Sequence, residues 1–192
     1  MKVRIDKAFP VAAPPEAAWA VLRDVEAVAS CMPGAKITER VDDTHYKGTV
    51  TVKVGPATLS FRGQIEVASL DGTARSLHLV AKGTDTTGSS AASMDLTASV
   101  VPAEGGGSSL KGVCETSVSG KAAAFGGRLM NSVADQILEQ FAGNFTARAA
   151  AAAAPAGAGA AAPEAPGQLN GLALAWAVFK SWLRGLFVGK GT

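Results

Sequence analysis

The sequence contains few of the residues that build metal or redox centres. Its 192 residues include two cysteines, Cys31 and Cys114, and two histidines, His45 and His78. Two separated cysteines cannot ligate an iron–sulfur cluster, and no CxxC pair or Cys/His cluster indicates a zinc site. We therefore expect reduced thiols, no bound metal and no disulfide framework.

Residue groupings typical of catalysis are also missing. His45 falls in a predicted hairpin turn and His78 at an outward strand position, where a solvated imidazole is the commoner state. No Ser-His-Asp or Cys-His grouping can be assembled around them. The glycine run at 105–107 is not followed by a helix, as a phosphate-binding loop requires. These absences favour a protein that is not an enzyme.

Charge is distributed unevenly along the chain. Residues 1–145 carry 14 Lys and Arg against 15 Asp and Glu, a net charge near −1, whereas residues 146–192 are net basic. The first balance argues against nucleic-acid binding, which needs a basic face. The basic, apolar C-terminal part suits an anionic membrane surface. Because the N-terminus lacks the apolar run of a signal peptide, we expect a cytoplasmic protein.

Alternating apolar and polar residues predict an antiparallel sheet with one wet face. A first strand covers residues 3–11, and two short helices follow, the first opened by Pro14-Pro15 and the second at residues 25–30. We expect about six further strands beyond them, separated by turns. The alternation is clearest at 46–54, 59–67, 77–81, 92–100 and 110–118.

Residues 122–148 change to a helical period. Phe125, Leu129, Val133 and Ile137 recur every four residues, and polar residues fill the opposite side. This pattern predicts a long amphipathic helix with a wide apolar face. Because a curved sheet wrapped around that helix buries both apolar faces, we predict an α+β domain over residues 1–148.

Small residues are frequent on the predicted inner faces of sheet and helix. They could leave room for an apolar ligand, or the two layers could simply approach each other closely. Composition alone leaves both open. The residues are Gly48, Gly63, Ala81, Ser90, Ala92, Ala98, Gly112 and Cys114 on the sheet, and Gly126, Ala134 and Ala142 on the helix.

The C-terminal part has a different composition. Residues 149–168 are mostly Ala, Pro and Gly, which predicts a flexible linker. Residues 169–188 predict an amphipathic helix, in which Lys180 and Arg184 interrupt the apolar run too early for it to span a bilayer. We expect a helix lying in the membrane interface; docking on its own domain or in a partner's groove is the alternative. The expected membrane-binding residues are Leu172, Trp176, Phe179, Lys180, Trp182, Leu183, Arg184 and Phe187.

Several segments resemble one protein family. The opening stretch Val11-Ala12-Ala13-Pro14-Pro15-Glu16-Ala17-Ala18-Trp19 is similar to the strand-to-helix entry of START-like (SRPBCC), or helix-grip, proteins. Three further segments narrow the resemblance to the CoxG family of carbon monoxide dehydrogenase accessory proteins over residues 1–148: Cys31-Met32-Pro33-Gly34, Val54-Gly55-Pro56 and Phe125-Gly126-Gly127-Arg128. The resemblance implies a curved seven-stranded antiparallel sheet around a long C-terminal helix, with a hydrophobic cavity.

The same resemblance implies a function. Members of this family are accessory proteins that attach an aerobic molybdenum carbon monoxide dehydrogenase to the inner face of the cytoplasmic membrane and link it to respiratory quinone. We therefore expect a non-enzymatic carrier of menaquinone, ubiquinone or another lipid, peripheral at the membrane. Two alternatives are a membrane adaptor with a filled core and no cargo, and a START-like enzyme acting on an aromatic or polyketide ligand. Fold alone does not decide between them.

The residues expected to enclose the ligand lie on the inner faces of sheet and helix. They share a largely apolar side chain that would pack against a quinone ring or its isoprenoid chain. They are Val52, Leu59, Phe61, Leu77, Leu79, Met94, Cys114, Phe125, Leu129, Met130 and Val133.

Overall fold

A computed structural model describes residues 1–154 of the chain, and its elements follow the predicted α+β order. Short 3-10 turns occupy Glu104–Gly106 and Lys121–Phe125. The helices and strands in chain order are β1 (Lys2–Val11), α1 (Pro15–Leu22), α2 (Val25–Cys31), β2 (Ala35–Arg40), β3 (His45–Val54), β4 (Ala57–Asp71), β5 (Ser76–Asp85), β6 (Ser90–Pro102), β7 (Ser108–Gly120) and α3 (Gly127–Ala153).

The seven strands form one antiparallel sheet in the order β1-β7-β6-β5-β4-β3-β2. The predicted seven-stranded antiparallel sheet with a long C-terminal helix is therefore confirmed. The alternation did not locate β2, for which the structure gives the reason. This strand lies at the sheet edge, only Ala35 and Ile37 are half-buried, and its register shifts between Ile37 and Glu39. A bulged edge strand with few inward residues has little periodicity to detect.

The hydrophobic core lies where α1, α2 and the second half of α3 meet the sheet. Trp19 and Leu22 of α1 are buried there, as are Leu77 of β5 and Phe145 of α3. The Phe145 ring packs against Phe141 with the ring centroids 5.8 Å apart. Helix α2 is held at its start because the Asp24 carboxylate accepts hydrogen bonds from two backbone N–H groups of the first turn.

Helix α3 begins five residues later than the periodicity predicts. Gly126 has φ +77°, a conformation that favours glycine, and the residues before it form a 3-10 turn. Phe125 thus belongs to the turn, although its spacing matches the helix. At its other end α3 extends through the first five residues of the predicted linker to Ala153, because these residues are alanines and alanine is the strongest helix former.

The burial of α3 is uneven along its length. Its buried residues are Phe141, Phe145 and Ala149, all in the second half. No residue between 127 and 140 is buried. Half of the helix therefore anchors the fold, and the other half covers the sheet incompletely.

Candidate functional site

Part of the inner face of the sheet is apolar but only half-buried. The strand alternation places its side chains on the face of the sheet that α3 packs against, yet they do not belong to the core cluster. We call them, with the inward residues of the first half of α3, the half-covered face. On the sheet it comprises Val50, Val52, Leu59, Phe61, Met94 and Cys114, and on the helix Met130, Val133 and Ile137.

The contacts of α3 explain why this face is half-covered. The helix packs mainly on α1 and more lightly on α2, β1 and β3, whereas β4 and β5 make no comparable contacts with it. Polar contacts hold its second half, where Asn144 Nδ2 donates to the Cys31 carbonyl at 2.9 Å. Nearer the middle, Lys7 of β1 forms an ion pair with Asp135 at 3.2 Å. These contacts fix α3 at its second half and at one sheet edge.

Strand register joins the sheet residues of the face into two patches. Val52 lies opposite Leu59, and Val50 opposite Phe61, which makes one patch on β3 and β4. Met94 of β6 and Cys114 of β7 make the second patch, with β5 between the two. Because neighbouring strands are about 4.8 Å apart, the patches span about 19 Å from β7 to β3. A ligand covering both must be elongated and apolar.

The polar groups near this face are already engaged or weakly reactive. The Tyr46 hydroxyl donates to the Asp43 carbonyl at 3.3 Å. The Cys114 Sγ and the Thr116 Oγ1 share a hydrogen bond at 3.4 Å. Burial raises the pKa of the Cys114 thiol, so it stays protonated and a poor nucleophile at neutral pH. The face therefore offers hydrogen bonds but no activated acid or base.

A buried carboxylate near one end of the sheet has a structural role. Asp85 accepts hydrogen bonds from the hydroxyls of Thr87 and Ser89 and from the backbone N–H of Ser90. These bonds, that of Thr87 above all, lower the pKa of Asp85. The carboxylate closes the β5–β6 hairpin. Within residues 1–154, no three His, Cys, Asp or Glu side chains cluster as metal ligands would.

The predicted ligand residues divide between the core and the half-covered face. Leu77 and Leu79 are buried in the core cluster, whereas Leu129 is exposed. Phe125 is half-buried in the 3-10 turn. The residues that lie on the face itself are Val52, Leu59, Phe61, Met94, Cys114, Met130 and Val133. The ligand-binding role of the whole set stays a prediction, as does the enclosed cavity.

Three residues on the same inner side were not among those predicted. Val50 and Ile137 belong to the half-covered face, and Ile5 of β1 is half-buried opposite Cys114. Each has the same parity or helical spacing as its predicted neighbours. The sequence pattern that identified their neighbours could therefore have identified these three residues as well.

The predicted membrane-binding helix lies outside the described residues. This applies to all eight of its named residues, from Leu172 to Phe187, and to most of the predicted linker. Among the helices within residues 1–154, none is long and apolar enough to cross a bilayer.

Solved structures share this fold at low sequence identity. A conserved protein from Geobacillus kaustophilus is 19% identical, with 78% of this chain and 96% of that chain covered and a TM-score of 0.69. The Zhui aromatase/cyclase from Streptomyces sp. R1128 is 16% identical, with 82% and 99% covered and a TM-score of 0.59. A START superfamily protein from Mycobacterium smegmatis is 16% identical, with 77% and 97% covered and a TM-score of 0.51. At these identities the likeness shows a START-like fold and nothing finer.

Sequence comparison assigns the family. No curated protein sequence matches the chain significantly. The family model for CoxG, the G subunit of carbon monoxide dehydrogenase, matches residues 8–150, which include every strand except the start of β1, both short helices and nearly all of α3. The chain therefore belongs to the carbon monoxide dehydrogenase CoxG family.

Proposed function

We propose that the chain is a non-enzymatic carrier that binds a respiratory quinone, menaquinone or ubiquinone, or a similar isoprenoid lipid at the half-covered face. It serves as an accessory protein of a molybdenum-containing carbon monoxide dehydrogenase at the inner face of the cytoplasmic membrane. The observation that carries the ligand proposal is the half-buried apolar surface shared by the sheet and the first half of α3. Family membership supports the partner enzyme.

The dimensions of the face favour an isoprenoid quinone over a compact aromatic ligand. Its two patches of larger side chains lie on either side of β5, whose inward residues there are the small Ala81 and Gly83, so a small ring system contacts only one patch. An isoprenoid chain is long enough to cover both, and each Å² of apolar surface it removes from water contributes about 25 cal/mol. The Thr116 hydroxyl can donate to a quinone carbonyl when the Cys114 thiol is the donor in the hydrogen bond that the two side chains share.

Cys114 provides a native probe of ligand binding. In full-length protein carrying Cys31→Ser, Cys114 is the remaining thiol, and we expect short-chain menaquinone to slow its modification by a maleimide. A matched control carries Cys31→Ser, Cys114→Ser and Lys111→Cys, which places the thiol at an exposed outward position of β7. Its modification rate should not change. An unchanged rate at Cys114 with saturating quinone contradicts binding at this face.

A second pair of variants separates a carrier from an adaptor with a filled core. Val133→Trp places a bulky ring on the half-covered face, whereas Asn131→Trp places it on the exposed side of the same helix. A carrier with Val133→Trp stays folded and loses quinone binding, whereas a filled core is overpacked and destabilised by about 1–3 kcal/mol or more. Gly126→Phe cannot make this distinction. Space beside Gly126 is open, but its φ of +77° strains any side chain in either case.

Membrane recruitment is tested through the C-terminal segment in the full-length chain. We expect the protein to float with vesicles of phosphatidylcholine and phosphatidylglycerol, and less well with phosphatidylcholine alone, because the segment carries Lys180 and Arg184. Replacing Trp176 and Phe179 with serine should abolish flotation, whereas Ser181→Ala should not. Flotation that survives the loss of both aromatic side chains contradicts this part of the proposal.

A further inference from the structure

The outer face of the sheet, opposite α3, carries a groove of about 730 Å³. Most of its lining residues have the outward parity of β1, β4, β5, β6 and β7, and none of them belongs to the half-covered face. Three of them are cationic, Lys2, Arg62 and Lys82, and no aspartate or glutamate lines the groove. Nearly all the other polar side chains are hydroxyls.

Strand register places these cations at the two ends of the groove. Lys2 lies opposite Ser117, Ser117 opposite Ser93, and Ser93 opposite Lys82. Three strand spacings therefore separate Lys2 from Lys82, a Cα distance of about 14 Å. Arg62 lies on β4, beside the Lys82 end, in the neighbouring row of outward side chains. Positive charge thus marks both ends, with hydroxyl groups between them.

The floor of the groove is a row of small inward-parity residues on β4, β5 and β6. Gly63 lies opposite Gly83, and a Cβ on Gly63 would come within 2.3 Å of the Lys82 carbonyl oxygen. The next position across the sheet is Ala92, whose small side chain also points inward. The groove is therefore concave between two rows of outward side chains.

Within the described part of the chain, the cations of the groove form no ion pairs, although the next outward row of the sheet carries Glu66, Asp95 and Glu115. Asp95 is instead 2.9 Å from His78 Nε2. Among residues 1–154, no carboxylate lies within ion-pair distance of Lys2, Arg62 or Lys82. By contrast, Arg4, also outward-facing on β1, pairs with Glu115 at 2.9 Å, and Lys47 of β3 pairs with Glu39 at 2.9 Å. The groove lining therefore presents unpaired cations together with hydroxyl donors, which is the chemistry that recognises anionic groups.

We propose that this groove binds an extended acidic segment of a partner protein, with two carboxylates four residues apart. An extended chain rises about 3.4 Å per residue, so side chains at i and i+4 lie on one side and about 14 Å apart, as Lys2 and Lys82 do. The recessed floor admits a protruding chain but not the flat surface of a bilayer. A small free anion in so open a groove is held only by solvent-screened charges, whereas a protein segment adds contact area. The proposal requires neither the quinone nor the membrane.

The test is an NMR titration of the full-length protein with short synthetic peptides. One peptide has two glutamates four residues apart among serines and alanines, and the other has the same composition with adjacent glutamates. We expect the first peptide to shift the amide signals of groove residues such as Ser93 and Ser117, and to bind several-fold more tightly than the second. Inorganic phosphate and phosphatidylglycerol vesicles are titrated in parallel to identify the other sources of negative charge.

Charge reversal supplies the matched variants. Arg62→Glu with Lys82→Glu should weaken binding of the first peptide about tenfold. Lys53→Glu with Lys111→Glu changes the net charge equally at outward positions that do not line the groove, and should leave the affinity within about twofold. Equal weakening by both pairs, equal affinity for both peptides, or shifts produced only by phosphate or only by vesicles each overturn the proposal. Because none of these variants touches the half-covered face, quinone binding should persist in all of them.

Discussion

The two halves of α3 should differ sharply in how much they stabilise the fold. Phe145 is fully buried, and its ring packs against Phe141, so Phe145→Ala should cost about 4 kcal/mol of unfolding free energy. Val133 is only half-buried. Val133→Ala removes two carbons worth about 0.8 kcal/mol each when fully buried, so we expect a loss of about 0.8 kcal/mol in total. The two truncations in one helix should therefore differ by about 3 kcal/mol.

Urea unfolding of delipidated full-length protein, followed by far-ultraviolet circular dichroism, measures this difference. Phe145→Ala should move the unfolding midpoint to a much lower urea concentration, whereas Val133→Ala should move it only slightly. Asn131→Ala, at an exposed position of α3, is the control and should have little effect. If Val133→Ala costs as much as Phe145→Ala, the first half of α3 is packed as tightly as the second. The half-covered face would then not exist, and the ligand proposal would lose its basis.

Three further predictions follow from single contacts. The pKa of the Asp85 carboxyl is lowered in the folded state, so the stability it contributes is present above its ordinary pKa of 3.8 and is lost as the pH falls through the lower folded pKa. Asp85→Asn should therefore make thermal unfolding less sensitive to acid. An unchanged pH dependence of the melting temperature contradicts this prediction. Gly63→Ala should destabilise the sheet by about 2 kcal/mol or more, because the new Cβ would clash with the Lys82 carbonyl oxygen. Gly72→Ala is the control and should have little effect, because the space around Gly72 is open. Equal urea midpoints for the two variants would refute the close approach of β4 and β5. Burial raises the thiol pKa of both Cys31 and Cys114, so alkylation of the native protein should be slow at neutral pH and become faster as the pH rises. Cys31 should react more slowly than Cys114 because it is buried, whereas Cys114 is half-buried. Fast alkylation at neutral pH contradicts this prediction.

The sequence predicts most of the sheet because its inner face is regular. Long strands such as β3 and β7 alternate apolar and polar residues over many positions, so their extent can be predicted within a few residues. The edge strand β2 is different, since Lys36, Thr38 and Glu39 are exposed and a register shift interrupts its alternation. Its place in the sheet depends on pairing with β3, a contact that local pattern does not show.

The start of α3 shows a second limit of periodicity. Phe125 keeps the four-residue spacing of the helix because a 3-10 turn and a single glycine precede Gly127 without disturbing that count. Only the positive φ of Gly126 separates the two segments. Glycine in the sequence is compatible with such a break but does not require one.

The candidate site could be predicted as a face but not as a set of accessible residues. Leu77 and Met94 have the same inward parity, yet Leu77 is fully buried in the core and Met94 is half-buried outside it. What separates them is where α1 and the second half of α3 pack on the sheet, which is decided by contacts distant in sequence. The outer groove was missed for a similar reason, because Lys2 and Lys82 come to lie in one row of outward residues only through the pairing of four strands.

The carrier function can be measured directly by organic extraction and mass spectrometry of the full-length protein purified from its native host. We expect menaquinone, ubiquinone or a related isoprenoid lipid to co-purify with it. Delipidated protein should take up the same molecule when it is offered, and the Val133→Trp variant should take up little. Recovery of no such molecule, together with no uptake by correctly folded protein, would contradict the carrier function.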